Sequence, residues 1–98
     1  MTAPSRYHAA GLRDFAHALL ARAGVRDDIA RDVAQVLVDA DLLGHTTHGL
    51  GLLAPYLGEI EKGTMTRAGE PEIVNQRPAA QLWDGKRLPG PWLTLRAF

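Results

Sequence analysis

Apolar residues recur at steps of three and four along the first half of the chain, and this spacing predicts amphipathic helices. The first predicted helix covers residues 9–23. Gly24 is expected to end it, because glycine adopts a positive φ without a Cβ penalty. The residues predicted to share its apolar face are Leu12, Phe15, Leu19, Leu20 and Ala23.

A second helix is predicted to follow at once. Asp27 or Asp28 is a suitable N-cap, and Gly44 is the matching stop signal. Because only a few residues link the two helices, we expect them to pack as an antiparallel hairpin. The apolar stripe predicted for this second helix consists of Ile29, Val33, Val36, Leu37, Ala40 and Leu43.

A third helix is predicted to end at Gly63, and Thr46 or Thr47 is a suitable cap for it. Pro55 lacks an N–H and would interrupt a helix that ran without a break from residue 48. We therefore expect a short turn first, with the regular helix restarting near Pro55. Its apolar positions are Leu50, Leu53, Tyr56, Leu57 and Ile60.

The pattern changes after Thr64, where loop signals replace helical periodicity. Residues 72–76 and 80–83 are short extended runs, and Asp84-Gly85 is a turn signal. The tail GPWLTLRAF has the pattern of the opening turns of another helix. The aromatic residues Tyr56, Trp83 and Trp92 are expected to serve in packing rather than as substrate contacts, as large apolar side chains usually do.

These elements predict an α+β fold in two parts. Residues 1–63 form a helical N-terminal subdomain of three helices, and residues 64–98 supply a loop, two short strands and the start of a further helix. Two strands alone are marginally stable in water, and the sequence stops inside a helical pattern. We therefore expect the N-terminal part of something larger, with residues 64–98 belonging to a truncated larger domain.

Composition restricts the possible functions. The chain has 98 residues, enough for one domain at most, and its formal net charge is zero. A nucleic-acid binder needs surplus Lys and Arg, and so does a polybasic membrane surface, so both are disfavoured. No cysteine is present, which excludes disulfides and thiolate metal sites and fits a reducing compartment. Without a secretion-type core or a membrane-length apolar run, we expect a soluble cytoplasmic protein.

The stretch GHTTHGLG, residues 44–51, is the main candidate for chemistry and allows three interpretations. The threonines could simply cap a helix. His45 and His48 could share a face and bind zinc, although a third ligand is needed and Asp41 lies one helix earlier. A histidine beside a hydroxyl could also act as a general acid or base, because its ordinary pKa is about 6.5. Residue types and spacing leave the choice open.

Longer stretches of the chain resemble a known family. They are LLARAGVRDDIARDVAQVLVDADLLGHTTHGLGLL, PYLGEIEKG and PEIVNQRPAAQLWDGKR. In the same order they resemble the N-terminal region of the malate/L-lactate dehydrogenase family, which is separate from the Rossmann-type lactate and malate dehydrogenases. The sharpest part is ADLLGHTTHG, because family members carry a similar string that ends in Ser-His-Gly or Thr-His-Gly. The GLGLL after the histidine is most similar to the hydroxycarboxylate dehydrogenase branch.

The resemblance implies an oxidoreductase that moves a hydride between NAD or NADP and the α-carbon of a small 2-hydroxy or 2-keto acid, or in some members a cyclic imine acid. In the family the motif histidine is the proton donor or acceptor, and here that residue is His48. The hydroxyl residue before it orients the imidazole, and here it is Thr47. The family's larger α/β fold, of which this chain would be an incomplete part, and its usual homodimer are implied as well.

Two features of the family are not found in this sequence. Many members carry an arginine four residues after the catalytic histidine to hold the substrate carboxylate, and Leu52 occupies that position here. Leucine cannot form the bidentate pair that arginine offers a carboxylate. The family's NAD(P)-binding residues lie further along its chain, so we expect no cofactor-binding residue among these 98. The 98-residue chain alone is therefore expected to be inactive.

An alternative belongs to a different functional class. The chain could be a catalytically inactive module that binds a partner, or a full-length relative, through the face that its missing half would cover. A three-helix DNA-binding domain is a third possibility, which the zero net charge disfavours.

Overall fold

The computed structural model describes residues 7–98. In chain order, the elements are α1 (Ala9–Arg22), α2 (Asp27–Leu42), two 3₁₀ turns (Thr46–His48 and Leu50–Leu52), α3 (Leu53–Lys62), β1 (Glu72–Arg77), β2 (Ala80–Asp84) and α4 (Gly90–Ala97). The predicted α+β order of three helices, two strands and a further helix is confirmed. Over residues 7–98, no helix is both long and apolar enough to span a bilayer.

Helix α2 lies at the centre of the hydrophobic core, and α1, α4 and both 3₁₀ turns pack against it. Five core residues come from α2, and the others come from each remaining helix and the loops beside them. The buried cluster consists of Ala16, Leu20, Val25, Ile29, Ala30, Val33, Ala34, Leu37, Leu53, Ile60, Leu88 and Trp92. Because Trp92 belongs to the same cluster as α2, α4 is held against the helical region. The division of the chain at residue 63 stays a prediction, and its residues 1–6 lie outside the described residues.

Two residues assigned to apolar faces are exposed, which makes those predictions wrong. Phe15 is 59% exposed, because α1 approaches α2 through the small neighbouring residue Ala16 and through Leu20. Leu43 is 75% exposed, because α2 ends one residue before it and its stripe does not continue. Val38, which was not predicted, is buried instead.

The predicted helix stops are confirmed, but the predicted caps are wrong. Gly24, Gly44 and Gly63 have φ values of 93°, 84° and 82°. Arg26, not an aspartate, precedes α2, and no side chain caps that helix. The Asp28 carboxylate instead accepts two hydrogen bonds from the Arg26 guanidinium, at 2.6 and 3.1 Å.

The third helix begins near Pro55 after a short turn, as predicted from the position of the proline. Two 3₁₀ turns come first, and α3 starts at Leu53, so that Pro55 lies in the first turn. The N–H groups of a first turn have no partner within the helix, and the missing N–H of proline costs nothing there. Neither Thr46 nor Thr47 caps α3, because the intervening turns separate the threonines from it.

The two strands form an antiparallel hairpin that exposes most of its side chains. Ile73 pairs with Trp83 and Arg77 with Ala80, with a bulge between Ile73 and Asn75. The strands are one residue longer than predicted, and the expected turn after Asp84 is present. Trp83 is half-buried, whereas every residue of β1 is exposed.

Trp92 connects three parts of the chain. Its ring is buried and contacts two guanidiniums, whose carbons lie 5.4 Å (Arg26) and 5.5 Å (Arg96) from the ring centroid. Glu70 accepts a hydrogen bond from each arginine, at 3.3 and 3.0 Å. The ring therefore combines apolar burial with two cation–π contacts and joins the start of α2, the loop before β1 and α4.

Candidate active site

The end of α2 determines where the threonine-histidine stretch begins. The N–H of His45 donates to the Ala40 carbonyl at 2.9 Å, and the N–H of Gly44 donates to the Asp41 carbonyl at 3.0 Å. This is the Schellman arrangement, which requires the left-handed conformation that Gly44 adopts. It fixes the direction in which the chain leaves the helix.

Asp41 holds the chain on the far side of His48. Its carboxylate accepts a hydrogen bond from the Leu50 N–H at 2.9 Å. Gly49 is buried, and a Cβ added there would overlap the Asp41 carboxylate. On the near side, the N–H of His48 donates to the His45 carbonyl at 2.9 Å. The backbone of the turn is therefore tied to the end of α2 at both ends.

The imidazole of His48 pairs with the hydroxyl before it. Thr47 Oγ1 lies 3.0 Å from His48 Nδ1, and both side chains are exposed. The hydroxyl can donate to a bare Nδ1 or accept from a protonated one, depending on the tautomer. In either case Thr47 engages Nδ1, and Nε2 is the ring nitrogen left to exchange a proton with a ligand.

Two open depressions meet at His48. One, of about 440 Å³, is lined by the C-terminal half of α2 and the following turn, through Val36, Asp39, Ala40, Leu43, His45 and His48. The other, of about 320 Å³, lies between α2, α3 and α4 and is lined by Val36, Leu37, His48, Leu52, Tyr56, Pro91, Thr94 and Leu95. His48 is therefore a wall residue that the two depressions share.

The walls of both depressions are mainly apolar. Leu52 lines the second one beside His48, so the residue that takes the place of the family's arginine lies at the site. Within the described part of the chain, neither depression is lined by a lysine or an arginine, and Asp39 adds a carboxylate to the first. These walls do not supply the cation that a substrate carboxylate needs.

The same walls do not fit the phosphates of a nicotinamide dinucleotide. Phosphates are held by cations or by converging backbone N–H groups. Within residues 7–98, the lining of the two depressions carries no Lys or Arg, and Pro91, which lines the second one in the first turn of α4, has no N–H to donate. The described residues beside His48 thus present an imidazole without a site for the cofactor's phosphates.

His17 lies at the opposite end of α2 from His48. His17 Nε2 pairs with Asp27 Oδ1 at 2.7 Å, across the α1–α2 contact. Between Tyr7 and Phe98, the structure brings together no group of three His, Asp or Glu side chains that could bind a metal ion. His45 lines the first depression together with His48.

Sequence reasoning missed the part that Asp41 plays. The sequence singles out Asp41 only as a distant metal ligand, whereas its carboxylate accepts the Leu50 N–H and supports the His48 turn. The signal in the sequence was Gly49, because a glycine directly after a candidate catalytic residue indicates that something approaches the backbone closely.

The chain is similar along most of its length to known dehydrogenases. Residues 7–98 match the family described as malate/L-lactate dehydrogenase. The malate/(S)-sulfolactate dehydrogenase of Methanothermus fervidus is 39% identical over 67 residues, which make up 68% of this chain and 20% of that relative. Hydroxycarboxylate dehydrogenase B of Escherichia coli O157:H7 is 31% identical over 87 residues, or 89% of this chain and 24% of that relative.

Solved structures agree with the sequence relatives. The structure of malate dehydrogenase from Pyrococcus horikoshii OT3 superposes with a TM-score of 0.88 at 29% identity, over 94% of this chain and 26% of that one. The chain thus spans about a fifth to a quarter of the length of the curated relatives it matches. The resemblance predicted from the motif is confirmed: this chain belongs to the malate/L-lactate dehydrogenase family.

Proposed function

We propose that this chain is the N-terminal portion of an NAD(P)-dependent 2-hydroxy-acid dehydrogenase, in which His48 is the proton donor and acceptor. The observation that carries the proposal is the 3.0 Å pairing of His48 Nδ1 with Thr47 Oγ1 where two depressions meet. General acid–base catalysis needs a titratable group within reach of the substrate and held in one orientation. The pairing and the depressions are consistent with both requirements.

The proposed proton step uses the two ring nitrogens differently. During oxidation, Nε2 of neutral His48 takes the proton of the substrate hydroxyl as the α-carbon loses its hydride. During reduction, the protonated imidazole returns that proton to the carbonyl oxygen as negative charge develops there. Thr47 stays on Nδ1 throughout and restricts rotation of the ring. When bound, the nicotinamide supplies or accepts the hydride.

The substrate in this proposal is a small 2-hydroxy or 2-keto acid. Relatives are named for malate, sulfolactate and hydroxycarboxylates, which share a carboxylate next to the reacting carbon. Because Leu52 and its neighbours offer no cation, we assign the grip on that carboxylate to residues outside this chain. The binding of NAD or NADP is assigned to residues outside it too, and the assembly is proposed to be a homodimer in the cytoplasm.

The first test combines mass and activity. The protein is purified from its native source, its intact mass is compared with 10.6 kDa, and oxidation of a 2-hydroxy-acid panel is followed through NADH and NADPH absorbance. We expect a mass several times larger, turnover of at least one acid, and a kcat about 10²- to 10⁴-fold lower in His48→Ala, the usual range for a lost general base. Wild-type turnover in His48→Ala would contradict the role of His48.

Thr47 has a matched pair of variants. Thr47→Ser keeps the hydroxyl and should keep most activity, whereas Thr47→Val keeps the shape, loses the pairing with Nδ1 and should lower kcat. Equal effects of the two variants would show that the hydroxyl has no part in catalysis. Thr46→Val, one residue earlier in the same turn, serves as the control.

The competing function is an inactive module that binds a partner. It is favoured by the exposed apolar residues of the hairpin, which include Ile73, Val74 and Leu82, at 50%, 57% and 60% exposure. A native mass of 10.6 kDa without turnover would support the module. A stoichiometric complex of the 98-residue chain alone with a nicotinamide dinucleotide would contradict our expectation that this chain cannot bind the cofactor.

A further inference from the structure

We propose that Asp41 is a positioning residue that sets the orientation of His48, an inference that rests on the proposed function of His48. Asp41 touches neither depression and accepts the Leu50 N–H at 2.9 Å. Its carboxylate also occupies the space that the missing side chain of Gly49 leaves open. It therefore contacts the two residues that directly follow the imidazole-bearing residue.

Helix stability does not explain an acid at this position. Asp41 lies in the last turn of α2, and a carboxylate there opposes the partial negative charge of the helix C-terminus. The last turn of α2 contains no basic residue to offset it. The charge-assisted hydrogen bond to the Leu50 N–H gives the carboxylate a favourable partner. The contact with the turn therefore explains why an aspartate occupies position 41, whereas helix formation does not explain it.

Contacts before and after His48 together hold its backbone in place. Before it, the Schellman bonds orient His45, whose carbonyl receives the His48 N–H at 2.9 Å. After it, Asp41 fixes the Gly49–Leu50 peptide. With its backbone held at two points, His48 can turn only about its own side-chain bonds, and Thr47 engages Nδ1 to restrict that rotation. Loss of the Asp41 contact should release one of the two points.

The test compares Asp41→Ala, Asp41→Asn and a control, Asp32→Ala, in protein expressed from the native gene. Asp32 is also a half-buried carboxylate of α2, and it lies about 14 Å from Asp41 towards the start of the helix, at 1.5 Å per residue. Asparagine removes the charge but keeps an oxygen that can accept the Leu50 N–H. The set therefore separates loss of the hydrogen bond from loss of a charge on α2.

Two structural measurements report on these contacts without requiring catalytic turnover. In Asp41→Ala, the Leu50 amide should exchange with solvent at least about tenfold faster, because it loses its partner. The ring ¹⁵N shifts of His48 should move towards those of an unrestrained histidine. Asp41→Asn should show smaller changes in both, and Asp32→Ala none. An Asp41→Ala protein with wild-type exchange at Leu50 and wild-type His48 shifts would overturn the inference.

The kinetic readout separates positioning from a merely structural role. In Asp41→Ala, kcat should fall about 10- to 100-fold with KM nearly unchanged, as expected when a reacting group is displaced by about 1 Å. Asp41→Asn should stay within about fivefold of wild type, because a neutral acceptor still forms the bond. If Leu50 exchanges faster while kcat stays at the wild-type value, His48 does not depend on Asp41 and the inference fails.

Gly49→Ala tests the same contact between Asp41 and the turn by changing the residue opposite Asp41. Its Cβ should displace the Asp41 carboxylate and reproduce both the faster Leu50 exchange and the kcat loss. The double variant with Asp41→Ala should be no slower than Asp41→Ala alone, because both changes act on one contact. Additive losses would overturn the inference. If the wild-type enzyme oxidises no hydroxy acid, the proposed function fails, and the exchange and ring shifts still decide the role of Asp41.

Discussion

The cluster around α2 and the β1–β2 hairpin bury their apolar side chains to very different degrees. Within the cluster, Ile29, Val33 and Trp92 are at most 1% exposed. In the hairpin, Ile73, Val74 and Leu82 are at least half exposed. The difference shows that the described residues supply a core for the helices, including α4, and none comparable for the strands.

The exposure of the hairpin can be compared with how much of its relatives this chain spans. The chain spans about a fifth to a quarter of the curated relatives it matches, and its strands have hydrogen-bonded partners only in each other among residues 7–98. A two-stranded hairpin is marginally stable in water unless a further layer covers one face. His48 lies in the helical region, beside depressions lined by α2, α3 and α4. The candidate catalytic turn is therefore built on the part that has a core.

The largest expected contrast is between the two tryptophans. Trp92→Ala should lower the free energy of unfolding by about 3–5 kcal/mol, because it removes a fully buried ring from the cluster. Trp83→Ala, which removes a half-buried ring from β2, should cost about 1 kcal/mol. Urea denaturation of both variants measures the two values. Equal losses would contradict the contrast between cluster and hairpin.

A smaller effect is expected on the exposed face of the hairpin. Leu82→Thr should change the free energy of unfolding by less than about 0.5 kcal/mol, because the side chain is 60% exposed and threonine suits a strand. Leu37→Thr in α2 is the matched buried control and should be strongly destabilising. Thermal denaturation compares the pair, and a large loss for Leu82→Thr would mean that the hairpin has a cover in the folded protein.

The smallest expected effect concerns pH. The Arg26 guanidinium holds the pKa of the Asp28 carboxyl below its ordinary value, so Asp28 contributes stability above about pH 4 that is lost as the pH falls through its lowered pKa. The effect should be small, because the side chains of Arg26 and Asp28 are 36% and 44% exposed. Asp28→Asn should flatten the acid limb of the stability curve measured by urea denaturation.

The exposed Asp14 of α1 gives the matched control for this comparison. Asp14→Asn also removes one carboxylate, away from the Arg26–Asp28 pair, and gives the reference against which the change in Asp28→Asn is measured. An unchanged acid limb in Asp28→Asn would contradict the contribution assigned to that pair.

The elements of the fold were predictable because their signals are local. Gly24, Gly44 and Gly63 mark the helix ends, and the position of Pro55 required a turn before α3. The rotation of α1 was not predictable, because burial of Ala16 in place of Phe15 depends on how closely α2 approaches. The absence of an aspartate cap on α2 also depends on tertiary contacts. Asp28 pairs with Arg26, which also contacts Trp92, far away in sequence.

Only the part of the candidate site that lies within the family motif was predictable from the sequence. His48 and Thr47 came from the family resemblance, and their 3.0 Å pairing supports the roles proposed for them. The contact between Asp41 and Leu50 has no periodic signature, because it crosses the end of a helix and depends on the path of the following turn. The walls of the depressions combine α2, α3 and α4, and a sequence read in order does not reveal such a combination.

The most direct test of the central claim is chemical rescue of His48→Ala in the protein expressed from its native gene. Added imidazole should restore turnover of the 2-hydroxy acid in proportion to its concentration, because it replaces the missing base beside the reacting hydroxyl. Substituted imidazoles should restore it according to their basicity. Turnover of His48→Ala at the wild-type rate without imidazole would contradict the claim that His48 exchanges the substrate proton.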